Sequence, residues 1–243
     1  MWRIFLLIIL NLFLQIGNTF SQKTNPPGTI LLRDNLYIDL APMANIHYRE
    51  YEYFMSNFIN YNLDSFQKLV ASLPMSGVTF EEFLTQIKFE PNRDSANLKI
   101  NRDATLSWSK PENFEIYLSH PAYNFYPVVN ITYEIAKRFC EWRTAAVQLN
   151  YASATTEKER EKHFRKIKYR LPTREEWEFA KQKFTQTRRL YQSQQPSPPF
   201  KKRFTITNLA ELVNSEGMLV NSVSEVRPNT DMITFRCICE VED

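Results

Sequence analysis

Glycine is scarce in this chain of 243 residues, which contains only 4 glycines beside 18 Phe and 12 Tyr. Loops that cradle phosphate need glycine for positive φ and close backbone approach, so we expect no nucleotide-binding loop. The sequence also lacks the Gly-x-Ser-x-Gly and His-Glu-x-x-His motifs, which argues against hydrolases of those kinds. Its three histidines, His47, His120 and His163, are scattered without metal-ligand spacing. We expect His120 to form a hydrogen bond within its loop.

A strong charge of either sign is also missing, because 30 Lys and Arg residues are balanced by 27 Asp and Glu residues, for a net charge of +3. The two signs are interspersed, so no strong field attracts nucleic acid or acidic lipid. We therefore expect no nucleic-acid binding. The hydrophobic fraction is 43%, which is enough for the core of one large domain.

The one long apolar run, residues 4–14, follows a basic start and precedes small residues before Gln22. This pattern is typical of a signal peptide over residues 1–21. The run is shorter than the roughly 18 residues that cross a bilayer, so we expect no membrane span in the mature protein. A retained signal anchor is the alternative. The predicted product is one domain over residues 22–243, exported to the periplasm or the cell surface of a bacterium.

Local patterns predict the first elements of that domain. Two short strands over residues 29–39 flank an Asp34-Asn35 turn, and a helix begins at Asn45 and reaches about Asn60. Thr79 and Glu82 have the spacing of a capping box, which predicts another short helix.

A more specific string is Tyr126-Pro-Val-Val-Asn-Ile-Thr-Tyr-Glu-Ile-Ala-Lys-Arg-Phe-Cys-Glu-Trp142. Thr132 can cap a helix here. Apolar residues recur at steps of three and four, which predicts one buried stripe. The stripe consists of Ile135, Phe139, Trp142, Ala146 and Leu149.

A second string, Tyr169-Arg-Leu-Pro-Thr-Arg-Glu-Glu-Trp-Glu-Phe-Ala180, places Thr173 as an N-cap with Glu176 three residues later, the spacing of a capping box. We expect Trp177 to pack back over the residues that precede the helix. Between the two strings, residues 150–168 carry alternating charges, which is typical of a solvated helix. Residues 186–202 are rich in Pro and Gln and predict a loop within the domain.

These two strings, followed by Thr234-Phe-Arg-Cys237, resemble the signature of the formylglycine-generating-enzyme-like (sulfatase-modifying factor) family. The resemblance extends back to about residue 28 through Tyr37-Ile-Asp39. It implies a single α+β domain, related to C-type lectins, with much irregular structure.

The resemblance also implies a calcium site. Thr207-Asn208-Leu-Ala-Glu211-Leu-Val is similar to the family string Gly-Asn-Val-x-Glu-Trp, whose Asn and Glu help to hold calcium. Asn208 and Glu211 keep two oxygen donors, whereas Ca²⁺ takes about six to eight oxygen ligands. We assign no other cofactor.

Three cysteines, Cys140, Cys237 and Cys239, in a chain that is predicted to be exported make a disulfide the default expectation. Cys237 and Cys239 lie two apart on a predicted strand and share a face, which disfavours a bond between them and leaves either free to meet Cys140. The resemblance implies the Cys140–Cys237 pair, because those positions are paired in related secreted enzymes. Cys239 is then expected to be a buried small apolar residue.

The centre that would make the family an oxidase is missing from the sequence. Enzymes of this family activate oxygen at copper held by two further cysteines, and copper(I) requires soft thiolate ligands. The corresponding residues 216–230 contain no cysteine. A related branch, the sulfoxide synthases, uses iron held by histidines of an additional helical domain, for which this chain has no room. We therefore assign no catalytic residue.

The resulting hypothesis is a non-catalytic binding or assembly module of the bacterial cell envelope with a protein partner. The resemblance points to proteins of gliding motility and of the secretion system coupled to it. One alternative is a metal-dependent oxidase of the formylglycine-generating or sulfoxide-synthase kind that uses other ligands. A second is carbohydrate binding through a lectin-like fold. No feature of the sequence indicates an oligomeric state.

Overall fold

The structure, a computed structural model, describes residues 23–60, 114–185, 210–214, 219–221 and 233–242. The strands in these ranges are β1 (Thr29–Arg33), β2 (Leu36–Asp39), β3 (Lys166–Arg170), β4 (Ala210–Leu212), β5 (Leu219–Asn221), β6 (Ile233–Phe235) and β7 (Ile238–Glu242). The helices are α1 (Asn45–Asn60), α2 (Phe114–Ser119), α3 (Tyr133–Ala152), α4 (Glu157–Arg160) and α5 (Arg174–Thr185), with a 3₁₀ turn over Pro121–Tyr123. This mixture confirms the α+β prediction.

The larger sheet has the strand order β1-β2-β7-β3, with every neighbouring pair antiparallel. The predicted hairpin is confirmed, and Asp34 adopts a φ of 42° at its turn. The last strand, β7, lies between β2 and β3, with Cys239 opposite Tyr37 on one side and Tyr169 on the other. Strand β7 therefore connects the hairpin of β1 and β2 to β3.

A smaller sheet has the order β5-β4-β6. Strand β4 is antiparallel to β5 and parallel to β6, with Glu211 opposite Thr234. Only two residues, Arg236 and Cys237, separate β6 from β7. The short connection brings the two sheets together at the point where polar groups collect.

Helix α3 begins at the predicted cap, where Thr132 Oγ1 accepts a hydrogen bond from the backbone N–H of Ile135 at 3.3 Å. Its buried face differs from the predicted stripe, because Trp142, Ala146 and Leu149 are only half-buried. The fully buried residues of this helix, apart from two at its C-terminal end, are Ile135, Ala136, Arg138, Phe139, Cys140, Thr144 and Ala145. Strand β3 accounts for the shift, since the backbone N–H of Tyr169 donates to Thr144 Oγ1 at 2.8 Å.

Aromatic rings join α1, α3 and β6 in the main core. Phe139 lies 5.5 Å from Tyr51, 5.4 Å from Trp142 and 5.3 Å from Phe235, measured between ring centroids. Edge-to-face and tilted pairs at such distances add to the hydrophobic gain of burial. Helix α1 starts at Asn45 as predicted.

Helix α5 covers the other face of the larger sheet. Ala180 and Phe184 of this helix pack with Leu32, Ile38 and Ile238 in a separate apolar cluster. The sheet is therefore buried on both faces, and its strands alternate between the two clusters.

The charged segment between the two strings is smaller than predicted. Helix α3 continues to Ala152 and β3 starts at Lys166, so only residues 153–165 connect them, and the predicted helix is the single turn α4. Residues 153–165 also bind the first described residues of the domain. The backbone N–H of Thr24 donates to the carbonyl of Lys162 at 2.8 Å.

The predicted signal peptide, the capping box of Thr79 and Glu82 and the loop over residues 186–202 lie outside the described residues. Among the helices that the structure describes, none is long and apolar enough to cross a membrane.

Replacing Phe139 with alanine tests the aromatic core. We expect Phe139→Ala to lower the free energy of unfolding by about 3 to 5 kcal/mol, because it leaves a cavity among three rings. Tyr53→Ala, at a side chain that is 72% exposed, should change it by no more than about 0.5 kcal/mol. Urea denaturation followed by circular dichroism measures both, and equal losses in the two variants would contradict the assignment of the core.

Candidate functional site

Five polar side chains meet where β6 passes into β7, and we call them the polar network: Asp39, Arg143, Trp177, Glu211 and Arg236. They come from β2, α3, α5, β4 and the β6–β7 connection. Ionised groups this deeply buried require partners, because an unpaired buried charge is strongly destabilising. The network is therefore the place where the fold either performs chemistry or holds itself together.

Asp39 binds two groups through one carboxylate oxygen. Its Oδ2 accepts from Arg143 Nη1 at 2.8 Å and from the backbone N–H of Cys237 at 2.7 Å. Arg143 also donates from Nη2 to the carbonyl of Pro27 at 2.7 Å, and its guanidinium lies 4.1 Å from the ring centroid of Tyr169. A single arginine thus contacts the N-terminal lead-in, β2 and β3.

Arg143 stays protonated in this position. Burial alone would lower the pKa of Arg143, but the negative charge of Asp39 outweighs it and raises that pKa well above the usual value. Arg143 is therefore a permanent cation, and Asp39 is its counter-ion.

Glu211 and Arg236 form the second ion pair, with exposed fractions of 0% and 3%. Arg236 binds both carboxylate oxygens, with Nε 2.5 Å from Oε2 and Nη2 2.7 Å from Oε1. The indole N–H of Trp177 donates to the same Oε2 at 3.0 Å. Trp177, which was expected to pack over the residues before its helix, reaches across to β4, where it also packs against Val213.

The geometry at Glu211 does not fit a calcium ligand. Arg236 covers both carboxylate oxygens, so a cation bound there would lie beside a guanidinium. Two like unit charges about 4 Å apart repel by about 4 kcal/mol at an effective dielectric constant of about 20, and a divalent ion doubles that. Asn208, the other predicted ligand, lies outside the described residues. Over the residues that can be described, no group of three or more His, Cys, Asp or Glu side chains could hold a metal.

The structure brings the two predicted disulfide partners together. The sulfur atoms of Cys140 and Cys237 lie 3.2 Å apart, and both residues are buried. As a thiol, Cys140 is a poor nucleophile, because burial and the adjacent Cys237 raise its pKa well above the usual value. The disulfide itself stays a prediction.

Cys239 is fully buried, as predicted. It lies between Tyr37 and Tyr169 on adjacent strands. Burial raises the pKa of its thiol to about 12. Cys239 is therefore protonated at neutral pH and unreactive.

A capping box and an arginine together fix the start of α5. Thr173 Oγ1 accepts from the N–H of Glu176 at 3.2 Å, and Glu176 Oε2 accepts from the N–H of Thr173 at 2.8 Å, which confirms the predicted box. Arg170 adds two bonds of 2.7 Å to the two oxygens of Glu176 and one of 2.7 Å to Glu240. The helix is thereby tied to β3 and β7.

The histidines occupy separate places. His120 caps the 3₁₀ turn by accepting from the N–H of Ala122 at 3.1 Å, which confirms its predicted role. The ring of His163 stacks on Tyr151, with centroids 4.1 Å apart. Burial lowers the pKa of His47, so its ring is more often neutral than an exposed histidine would be.

Sequence reasoning named Glu211 but missed its partners. Asp39, Trp177 and Arg236 occur in the sequence analysis only as parts of strings, and Arg143 does not occur there. One signal was present: an acidic residue that ends an apolar strand needs a buried cation, and Arg143 follows Cys140 by one helical turn.

The pairing of Glu176 predicts a dependence of stability on pH. Burial would raise the pKa of Glu176, but hydrogen bonds from Arg170 and from the N–H of Thr173 outweigh it and lower that pKa. A carboxyl whose pKa is lower in the folded state stabilises the fold above its unfolded pKa, near about 4.3, and that stability is lost as the pH falls further.

We therefore expect the free energy of unfolding to fall between about pH 5 and pH 3, and to fall less in Glu176→Gln. Glu178→Gln, an exposed position on the same helix, is the matched control and should keep the wild-type slope. Urea denaturation at a series of pH values provides the measurement. Identical slopes in wild type and Glu176→Gln would refute the assignment.

The cysteine contact predicts a specific link. In the oxidised protein, peptide mapping without reductant should join Cys140 to Cys237, in Cys239→Ser as in the wild type. Reduction should lower the free energy of unfolding by about 3 to 5 kcal/mol, because the bond closes a loop of about a hundred residues. Alkylation of Cys140 in unfolded, unreduced protein would show that the bond is absent.

A family model described as Sulfatase-modifying factor enzyme 1-like domain matches residues 17–230, well over half of the sequence. No curated protein and no solved structure is significantly similar to the chain. The match spans both strings as well as Asp39, Arg143, Trp177 and Glu211. The chain therefore belongs to the family of sulfatase-modifying factor enzyme 1-like domains, the family that its two strings resemble.

Proposed function

We propose that this protein is an exported, non-catalytic binding or assembly module of the bacterial cell envelope. The observation that supports it most directly concerns cysteine. The sequence contains three cysteines, and the structure buries all three, with Cys140 and Cys237 in mutual contact. No accessible pair of thiolates is left for a copper centre.

An oxidase of this family needs two thiolates that hold copper where a peptide can approach. Cys140 and Cys237 have exposed fractions of 2% and 0%, beneath the larger sheet and α3. A peptide cannot reach either sulfur without unfolding the core. Cys239 is equally buried, and its raised pKa keeps it a thiol at neutral pH.

The buried carboxylates are also committed to structure. Asp39, Glu176 and Glu211 each accept at least two hydrogen bonds, including one from an arginine. A general acid or base must exchange a proton at the substrate, and its pKa is normally tuned close to the working pH. Arginine and other N–H donors occupy oxygens of these three carboxylates, so these groups are suited to joining elements.

The described surface offers apolar side chains to a partner. Leu31, Tyr53, Phe125 and Phe179 are between 38% and 72% exposed. Exposed aromatic residues are favoured anchors in protein interfaces. The apolar run over residues 4–14 supports export, and the resemblance to gliding-motility and secretion-associated proteins supports a role in assembly at the envelope.

Metal content and oxygen consumption test the absence of catalysis. The full chain, expressed with its own leader in an exporting bacterium, is purified, reconstituted with copper(I) and incubated with a cysteine-containing peptide. We expect less than stoichiometric copper and no oxygen consumption above that of Cys140→Ser. One copper per chain, with turnover that Cys140→Ser abolishes, would overturn the proposal.

Photo-crosslinking in the native cell tests the binding role. A photoreactive phenylalanine at position 125 or 179 should crosslink to a cell-envelope protein, whereas the same group at Lys158, exposed on α4, serves as the matched position. Crosslinking confined to position 125 or 179 supports an apolar interface. Glycan capture at these positions with no protein product would favour carbohydrate binding instead.

A further inference from the structure

We infer that the guanidinium of Arg236 takes the place of a bound cation at Glu211, so that this domain folds without calcium. The family string around Asn208 and Glu211 implies calcium at this point. The structure places a positive charge of the chain itself, the guanidinium of Arg236 in the closing string Thr234-Phe-Arg-Cys237, against the carboxylate.

The oxygens of Glu211 are nearly saturated. A carboxylate has about four lone-pair positions, and three N–H groups point at this one, two from Arg236 and one from Trp177. The side chain is inaccessible to solvent, so bulk water does not reach the carboxylate to complete the shell of an ion. A calcium ion would have to displace the guanidinium and leave it buried without a counter-charge, which is strongly unfavourable.

Arg236 also performs the joining that a metal ion performs in other proteins. Its Nη1 donates to the backbone carbonyl of Asp39 at 3.2 Å, while its other two nitrogens hold Glu211. The arginine therefore connects the end of β2 to β4. Because a guanidinium is planar and carries its N–H donors in a rigid fork, it makes these bonds in one fixed geometry.

The neighbouring sequence departs from the family string in the same place. Leu212 stands where the family has Trp, and Thr207 stands where the family has Gly. Leu212 is buried in the main apolar cluster rather than beside an open coordination site. The place of the family's calcium ion is therefore filled by the packing of Leu212 and by the ion pair of Glu211 with Arg236.

Chemical denaturation with and without calcium tests the inference. A site with a Kd of about 10 µM would raise the ratio of folded to unfolded protein about a hundredfold at 1 mM free Ca²⁺. We expect the wild type to unfold at the same urea concentration in 1 mM CaCl₂ and in EDTA. Terbium, a luminescent calcium analogue, should show no emission sensitised by the adjacent Trp177. Stabilisation by calcium, or terbium emission that calcium quenches, would overturn the inference.

Two glutamate variants separate an ion pair from a metal site. Glu211→Gln should lower the folded-to-unfolded ratio more than a hundredfold, equally in CaCl₂ and in EDTA, because it leaves Arg236 without its counter-ion. Glu242→Gln removes an exposed pair with Lys166 and should change the ratio less than about fivefold. A loss in Glu211→Gln that is seen only in CaCl₂ would show that Glu211 binds the ion. Should Glu211→Gln fail to fold, the wild-type measurements decide the question alone.

Discussion

The carboxylate of Asp39 is the point on which the rest of the structure depends. One carboxylate oxygen accepts hydrogen bonds from Arg143 of α3 and from the backbone N–H of Cys237. The backbone carbonyl of the same residue accepts a hydrogen bond from Arg236. Through these bonds the central helix, the first hairpin and the connection between the two sheets meet at one residue. Removing one partner of a buried pair is far more destabilising than the pair is stabilising, because the other charge remains buried. The network therefore specifies one arrangement of these elements.

This constraint explains why β7 can lie between β2 and β3. A closing strand must be placed in register with two partners that are distant in sequence, and a slip of one residue would exchange the side chains that face the two apolar clusters. Asp39 binds the N–H of Cys237 immediately before β7 begins, which fixes the register. The same bond places Cys237 against Cys140. The ion pairs and the cysteine contact thus act together on the last strand, and both are consistent with the proposed non-catalytic role.

Features set by neighbours in the sequence could be predicted. The caps at Thr132 and Thr173, the turn at Asp34 and the start of α1 each depend on a few adjacent residues, and all are confirmed. The strings also predicted the family, which the family match shows. What could not be predicted depends on distant contacts. Asp39 and Arg143 are 104 residues apart, and the buried face of α3 follows β3, in which the N–H of Tyr169 bonds Thr144. A pattern of apolar residues treats Thr144 as polar, so it cannot predict that Thr144 is buried as a hydrogen-bond partner of β3.

Native-state hydrogen exchange at the backbone N–H of Cys237 tests the central claim most directly. This N–H is donated to the hub of the network, so its opening reports whether the network is part of the cooperative core. We expect it to exchange only through global unfolding, with a free energy equal to that from urea denaturation. Exchange through a local opening, with a free energy several kcal/mol smaller, would show that the β6–β7 connection is mobile. That result would contradict a network whose role is to hold the fold together.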